Sequence, residues 1–330
     1  MATDGTMVLP GPGDVEDAGR RLAGQAVPTP LLRSDALDAA VGGMVLVKAE
    51  PLQVTGSFKF RGAYNRLSRI PEAERGRGVV AWSSGNHAQG VAEAARRLGI
   101  PAAIVMPSDA PRIKVDNTRH LGAEVVFYDR TTEDREVIAR RLCAERGAVL
   151  VPSYDDFHII AGQGTVGLEI GRQARELGLT VDACVVNCSG GGLATGTAMG
   201  LRLSFPEASV HTAEPAGFDD MARSLAKGER VRNAATGGSA CDALLTVTPG
   251  DMTFPLAQRL LGEGFAVTDE ECFAAMRFAF RHLKLVVEPG GAAALAAVLT
   301  GRLDCRGRTV AVVASGGNVD PELYARVVAG

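Results

Sequence analysis

The chain has 330 residues, 46% of them hydrophobic, and a formal net charge of −3. That length suits two cores better than one, because domains usually hold roughly 100–200 residues. Lys and Arg are scattered and form no basic stripe to pair with phosphate backbone, which argues against a nucleic-acid partner.

From the N-terminus, Met1–Gly13 carries Gly, Pro and Asp but no basic start followed by an apolar run, so it does not read as a secretory signal. No later stretch approaches the roughly 18 apolar residues that a membrane helix needs. Short apolar runs then recur at Val45–Val47, Val79–Trp82, Ala103–Met106, Val125–Phe127, Val149–Val151, Val185–Val186, Ser209–Ala213 and Val310–Val313. Several are rich in valine and bounded by Gly, Pro or Ser, the pattern of buried strands in a parallel sheet. Helical spacing of apolar residues lies between them at Gly90–Leu98, Arg135–Ala144, Val166–Leu177 and Leu193–Leu203. The alternation predicts an α/β fold. Six cysteines show neither a CxxC pair nor a disulfide framework, which suits reduced thiols in a cytoplasmic protein.

Three glycine-rich turns follow predicted strands: Ser83-Ser84-Gly85-Asn86-His87, Ser189-Gly190-Gly191-Gly192-Leu193 and Ser315-Gly316-Gly317-Asn318. In an open parallel sheet such turns lie at the carboxyl ends of strands, where ligands bind, so the three point to one shared site. The second also opens a helix whose first amides are unpaired, a setting that attracts a phosphate. An ordinary strand-to-helix turn satisfies the same pattern. Nucleotide fingerprints are absent: a GxGxxG run would need glycine at Thr195, and no GxxxxGK[ST] occurs. A phosphate site without a nucleotide motif raises the possibility of pyridoxal phosphate, which needs a lysine for its Schiff base. Among the few lysines only Lys59 has an unusual frame, with Phe58 and Phe60 expected to desolvate it and favour the neutral amine. A surface lysine at the start of a helix is the alternative.

The run Gly56-Ser57-Phe58-Lys59-Phe60-Arg61-Gly62-Ala63 resembles the lysine motif of the fold-type II pyridoxal-phosphate enzymes, in the branch of threonine and serine dehydratases and serine racemase. Ser84-Gly85-Asn86-His87, Ala161-Gly162-Gln163-Gly164-Thr165, Ser189–Leu193, Glu288-Pro289 and Ser315–Asn318 follow in that family's order, and the resemblance runs from about Pro28 to Asp320. It implies a two-domain, tryptophan synthase β-like α/β fold in which each domain is an open, mostly parallel sheet flanked by helices. Residues 1–77 and 153–330 would form the large domain and 78–152 a small mobile one that closes over the substrate. A homodimer or homotetramer is also implied.

Carried over residue by residue, the resemblance makes Lys59 the cofactor lysine and the base that moves the substrate α-proton. Phe58 and Glu288 join the cofactor site, Asn86 bonds the ring hydroxyl, and the amides of Ser189, Gly190, Gly191, Gly192 and Leu193 hold the phosphate. Ser315 faces the pyridine nitrogen; a neutral hydroxyl there drains less charge into the ring and favours prompt loss of a β-substituent. Ser83, Ser84, Asn86 and His87 would bind the substrate carboxylate through hydroxyls and main-chain amides. Ser84 would be the acid/base on the second face, and His87 is read as a positioning residue, with a structural turn histidine as the alternative. Glu214, the main-chain carbonyl at Phe218 and Asp220 match a divalent-cation site whose oxygen ligands suit magnesium or calcium; a capped acidic helix start is the competing reading.

The implied reaction is α,β-elimination on a small β-hydroxy amino acid, L-threonine or L-serine first, giving a 2-oxo acid and ammonia. Racemisation of serine or hydroxyaspartate by Lys59 and Ser84, or dehydration of hydroxyaspartate, is the alternative. Cysteine synthesis is disfavoured because His87-Ala88 follows Asn86 where those relatives carry Thr-Gly, and a catalytically dead binding protein is disfavoured by the intact Lys59. Two departures leave substrate preference open: Gly238–Ala243 replaces the usual Ala-Asp-Gly turn, and Tyr154 stands where Phe or Asn is common. The chain ends soon after Asp320, so no regulatory domain and no isoleucine feedback are expected.

Overall fold

The structure, a computed structural model, describes residues 7–83, 85–110, 112–129 and 131–330. Among the described residues, ten strands form two sheets. The first holds β1 (Leu31–Arg33), β2 (Met44–Ala49), β7 (Ala183–Asn187), β8 (Ser209–Pro215), β9 (Gly264–Val267) and β10 (Thr309–Ala314), in the order β1-β2-β10-β7-β8-β9. All its pairings are parallel except that of β1 with β2. The second is wholly parallel, in the order β5-β4-β3-β6, from β3 (Val79–Trp82), β4 (Ala102–Pro107), β5 (Glu124–Tyr128) and β6 (Val149–Leu150).

Helices cover both faces of each sheet, which is why its strands read as unbroken apolar runs. In chain order they are α1 (Pro12–Leu22), α2 (Asp35–Val41), α3 (Lys59–Leu67), α4 (Glu72–Arg75), α5 (Asn86–Leu98), α6 (Arg112–His120), α7 (Arg135–Arg146), α8 (Phe157–Glu176), α9 (Gly192–Arg202), α10 (Asp220–Lys227), α11 (Thr253–Leu260), α12 (Asp269–Phe278), α13 (Pro289–Leu299) and α14 (Pro321–Ala329). One core of the six-stranded sheet joins Val45, Val47, Val310 and Val312 to α12 and α13; the opposite face packs Leu46, Ala311 and Val313 against α8 and α9. Beneath the four-stranded sheet, Val79, Ala81 and Ile104 pack with Phe60, Ala63 and Leu67 of α3 and Val91 of α5. The helix that begins with Lys59 is thus built into the core of the smaller sheet.

This topology places the site. β10 lies between β2 and β7, so the segments leaving their carboxyl ends are neighbours: the lysine motif, the Ser315 turn and the glycine loop. An isolated bridge between Ser57 and Gly316 and a bond from the Phe58 amide to the Ser315 carbonyl at 3.1 Å stitch the first two together. Among the described residues, no helix is long and apolar enough to cross a membrane. All six cysteines are free thiols.

Candidate active site

A cavity of about 1170 Å³ opens between the two sheets. Its wall includes Lys59, Asn86, His87, Gly190, Glu288 and Ser315, drawn from all three turns and the lysine motif. The three turns and the lysine motif therefore converge, although their residues are up to 256 positions apart in the chain, from Lys59 to Ser315.

Lys59 starts α3. Its Nζ donates to the Ser153 carbonyl at 2.8 Å and lies 5.2 Å from the centre of the Phe58 ring. Burial pushes its amine down to about 8, against the opposing pull of Glu288. A substantial neutral fraction therefore exists near neutral pH, as nucleophilic attack on a carbonyl requires. Phe60 has a different place from the one expected: fully buried in the core of the smaller sheet, it packs at a tilt against Tyr64 and carries Arg97 over its ring. Successive helical residues point in different directions, so only one of the two phenylalanines faces the amine.

The base of α3 rests on a buried ion network that sequence reasoning missed. Arg61, fully buried, bonds Glu50 at 2.8 Å and Glu169 at 2.7 Å, and buried Lys48 bonds Glu169 and the Thr29 carbonyl, each at 2.6 Å. Each charge meets an opposite partner, so none is left uncompensated in the interior. The only sequence signal is Arg61 standing two residues after Lys59; its partners come from β2's exit and α8, which no local pattern links.

Glycine is required in the predicted phosphate loop. A Cβ on Gly190 would lie 2.2 Å from the Tyr154 ring, one on Gly192 would lie 2.9 Å from the Tyr154 carbonyl, and Gly191 has φ +98°. Among the described residues, the amides of Ser189, Gly190, Gly192 and Leu193 donate no hydrogen bond, which leaves a set of free donors at the start of α9. Asp155 braces the neighbouring turn by accepting from the amides of Asp251, Met252 and Thr253 at 2.9–3.1 Å, while Thr253 bonds the Gly190 carbonyl. Such a cradle of free amides beside a desolvated lysine fits a phosphorylated aldehyde.

Across the cavity Asn86 Nδ2 donates to Glu288 Oε1 at 2.6 Å. Burial pushes Glu288 up to about 7, with Asp242 adding to the rise and the Asn86 bond opposing it. His87 Nε2 donates to the Val151 carbonyl at 2.9 Å, so its proton sits on that nitrogen and Nδ1 keeps a lone pair, buried and without a partner. Burial, with help from Lys59, pushes this ring down to about 3. A neutral His87 cannot attract a carboxylate with its ring, and any part it takes in holding one falls to its backbone amide. Ser83 and Ser315 line the cavity; Ser84 lies outside the described residues.

The Glu214–Asp220 pair is brought together as expected. Glu214 is buried and accepts from the Met221 and Ala222 amides at 3.0 and 2.8 Å. Asp220 is buried too; Asn233 donates to its Oδ1 at 2.7 Å, and its Oδ2 has no partner. Burial pushes Asp220 up to about 6, and burial with the neighbouring Asp220 charge pushes Glu214 well above the usual carboxylate range. Phe218 sits in the turn between them, buried.

The family profile described as "Pyridoxal-phosphate dependent enzyme" matches residues 22–316. The chain belongs to this family. The L-threo-3-hydroxyaspartate ammonia-lyase of a Pseudomonas species is 46% identical to it, covering 96% of this chain and 98% of that one. The L-threonine ammonia-lyase of Thermotoga maritima is 42% identical over 96% of this chain and 77% of its own. Among solved structures, maize serine racemase superposes with a TM-score of 0.91 at 35% identity, covering 97% of each chain. The pyridoxal-phosphate enzyme fold is thus the tryptophan synthase β-like one that the motifs implied.

Proposed function

We propose that this enzyme is an ammonia-lyase that eliminates water from a small β-hydroxy amino acid and releases a 2-oxo acid and ammonia. The observation that carries this reading is a desolvated Lys59 beside a glycine cradle, with the neutral Ser315, not a carboxylate, at the end of β10. The relatives named for L-threo-3-hydroxyaspartate and L-threonine ammonia-lyase support it. L-threonine, L-serine and L-threo-3-hydroxyaspartate are the substrates proposed for trial.

When bound, pyridoxal phosphate supplies an electron sink for charge that develops at the substrate α-carbon. The free amides of Ser189, Gly190, Gly192 and Leu193 would hold its phosphate, while the Gly191 amide is taken by Cys188, and Asn86 would meet its ring hydroxyl. Lys59 would hold the cofactor through its amine, and its Nζ, once free, would take the substrate α-proton. Ser315 would offer the ring nitrogen a neutral hydroxyl, which would leave less charge in the ring and favour loss of the β-hydroxyl. Ser83 and the amides of Asn86 and His87 would orient the carboxylate; Ser84, outside the described residues, is proposed to join them and to be the acid/base of the second face.

The unit of residues 78–152 is proposed to close on the remainder and exclude water during the chemistry. Lys114 of α6 already reaches Asp242 across the cavity mouth at 2.9 Å. Glu214, the Phe218 carbonyl and Asp220 are proposed to hold magnesium or calcium: a buried carboxylate oxygen without a partner is what a hard cation would satisfy. The working form is proposed to be a cytoplasmic homodimer or homotetramer.

The test is 2-oxo acid release from a panel of L- and D-serine, threonine and 3-hydroxyaspartate, with Lys59→Ala in parallel. Wild type should turn over at least one of them, and Lys59→Ala should lose both turnover and the visible absorbance of the protein-bound cofactor. Turnover by Lys59→Ala near the wild-type rate would overturn the assignment.

A further inference from the structure

Asn318 closes the Ser-Gly-Gly-Asn turn after β10, and no step above uses it. Its Nδ2 donates to the Thr55 carbonyl at 2.8 Å and to Asn86 Oδ1 at 2.7 Å, which engages both hydrogens of its amide. The orientation is forced, because the two atoms it meets are acceptors. Receiving at Oδ1 in turn fixes the flip of Asn86. The Asn86 Nδ2 must point the other way, where it gives one hydrogen to Glu288 and retains the second.

The same side chain grips the lysine motif. Thr55 has φ +62°, a left-handed conformation that is unfavourable for a residue with a Cβ. A Cβ on the next residue, Gly56, would lie 2.6 Å from Asn318 Oδ1, and the Gly317 amide donates to the Gly56 carbonyl at 2.9 Å. The turn that delivers Lys59 is therefore moulded around Asn318.

We propose that Asn318 is a positioning residue that locks the donor face of Asn86 toward the cofactor's ring hydroxyl. The inference rests on the reading of Asn86 as the partner of that hydroxyl. Asn318→Asp keeps the shape and removes both donors; Asn318→Ala removes them without adding charge.

The experiment reconstitutes cofactor-free wild type, Asn86→Ala, Asn318→Asp and Asn318→Ala with pyridoxal phosphate and with its 3-deoxy analogue, which lacks the ring hydroxyl. Cofactor affinity is read by titration, and the absorption bands of the bound cofactor are compared. Each Asn318 variant should bind pyridoxal phosphate roughly tenfold more weakly than wild type, the scale of one lost hydrogen bond, while its affinity for the analogue should stay close to that of wild type. With pyridoxal phosphate the bands should shift toward the form whose ring oxygen keeps its proton. If Asn86→Ala discriminates between the two cofactors and the Asn318 variants weaken both equally, Asn318 merely packs the turn and the proposal is wrong. If Asn86→Ala does not discriminate, the reading of Asn86 fails first and the proposal falls with it. Should the Asp variant not fold, the Ala variant decides by the same comparison.

Discussion

Replacing Glu288 with Gln isolates the electrostatic cost of the site. The carboxyl is 5% exposed and faces Asn86 Nδ2 at 2.6 Å, yet burial outweighs that bond and lifts it from 4.5 to about 7. The native protein therefore holds this proton more tightly than the unfolded chain does. Stability from the group is greatest below pH 4.5 and is lost as pH rises through 7. At about 1.4 kcal/mol per unit, that span corresponds to roughly 3 kcal/mol. Gln is nearly isosteric, stays neutral and still offers Oε1 to Asn86. The cofactor-free Glu288→Gln protein should match wild type near pH 4 and exceed it by up to roughly 3 kcal/mol at pH 8. Urea unfolding across that range, followed by the single tryptophan, Trp82, at the cavity wall, measures the difference. Parallel curves for the two proteins, or a less stable variant at pH 8, would refute the reasoning.

The remaining expectations are separate from that one. Chelation should lower the Tm of wild type but leave Asp220→Asn unmoved, since only a cation bound to the native state stabilises it; equal sensitivity in both would remove the cation from this pair. Ser315→Asp, placing a carboxylate beside the ring nitrogen, should raise the ratio of α-proton exchange to 2-oxo acid release, measured by solvent-deuterium incorporation. An unchanged ratio would withdraw Ser315 from that position. Gly190→Ala should weaken cofactor binding at least tenfold, about the cost of displacing a packed ring, because its Cβ would meet the Tyr154 ring at 2.2 Å. Adding Tyr154→Ala should recover part of the loss, and no recovery would show that the clash is not the cause.

How much of this was legible depends on whether the deciding interaction was local. The central valine-rich strands could be read because both their faces are covered, and each expected run falls within or overlaps an observed strand. Short β1 and β9 escaped notice, at three and four residues. Helix α13 escaped as well: Pro-Gly-Gly-Ala-Ala-Ala-Leu-Ala-Ala-Val-Leu is buried nearly all round and so has no polar face to reveal a period. The start of α8 was misplaced for another reason. Gly162, Gly164 and Gly167 weaken a helical reading, yet each sits where another helix crosses closely. A Cβ at these positions would lie 2.7 Å from Gly62 Cα, 2.7 Å from Val15 Cγ2 and 2.1 Å from the Thr197 carbonyl, respectively. The Ala-Gly-Gln-Gly-Thr motif is thus a packing surface for α3, α1 and α9 as much as a family signature.

The site itself was legible as a set of turns but not as a set of partners. Lys59 was expected to be desolvated by the phenylalanines on both sides, and it is desolvated, but by a different arrangement. Phe58 covers it, Phe60 turns into the core of the smaller sheet, and the Ser153 carbonyl accepts from its amine 94 residues away in sequence. Below it, Arg61 reaches 11 residues back to Glu50 and 108 forward to Glu169, so α3 is held at its first turn from two directions. The two restraints act on different parts of the same helix: the buried ion network fixes where α3 begins, and Asn318 fixes the turn that leads into it. A lysine proposed both to hold a cofactor and to move a proton needs its Nζ free to swing while its backbone stays still. Local sequence shows the swinging group. The stillness comes from Glu50, Glu169 and Asn318, residues whose relevance appears only once the chain has folded them against Arg61 and Thr55.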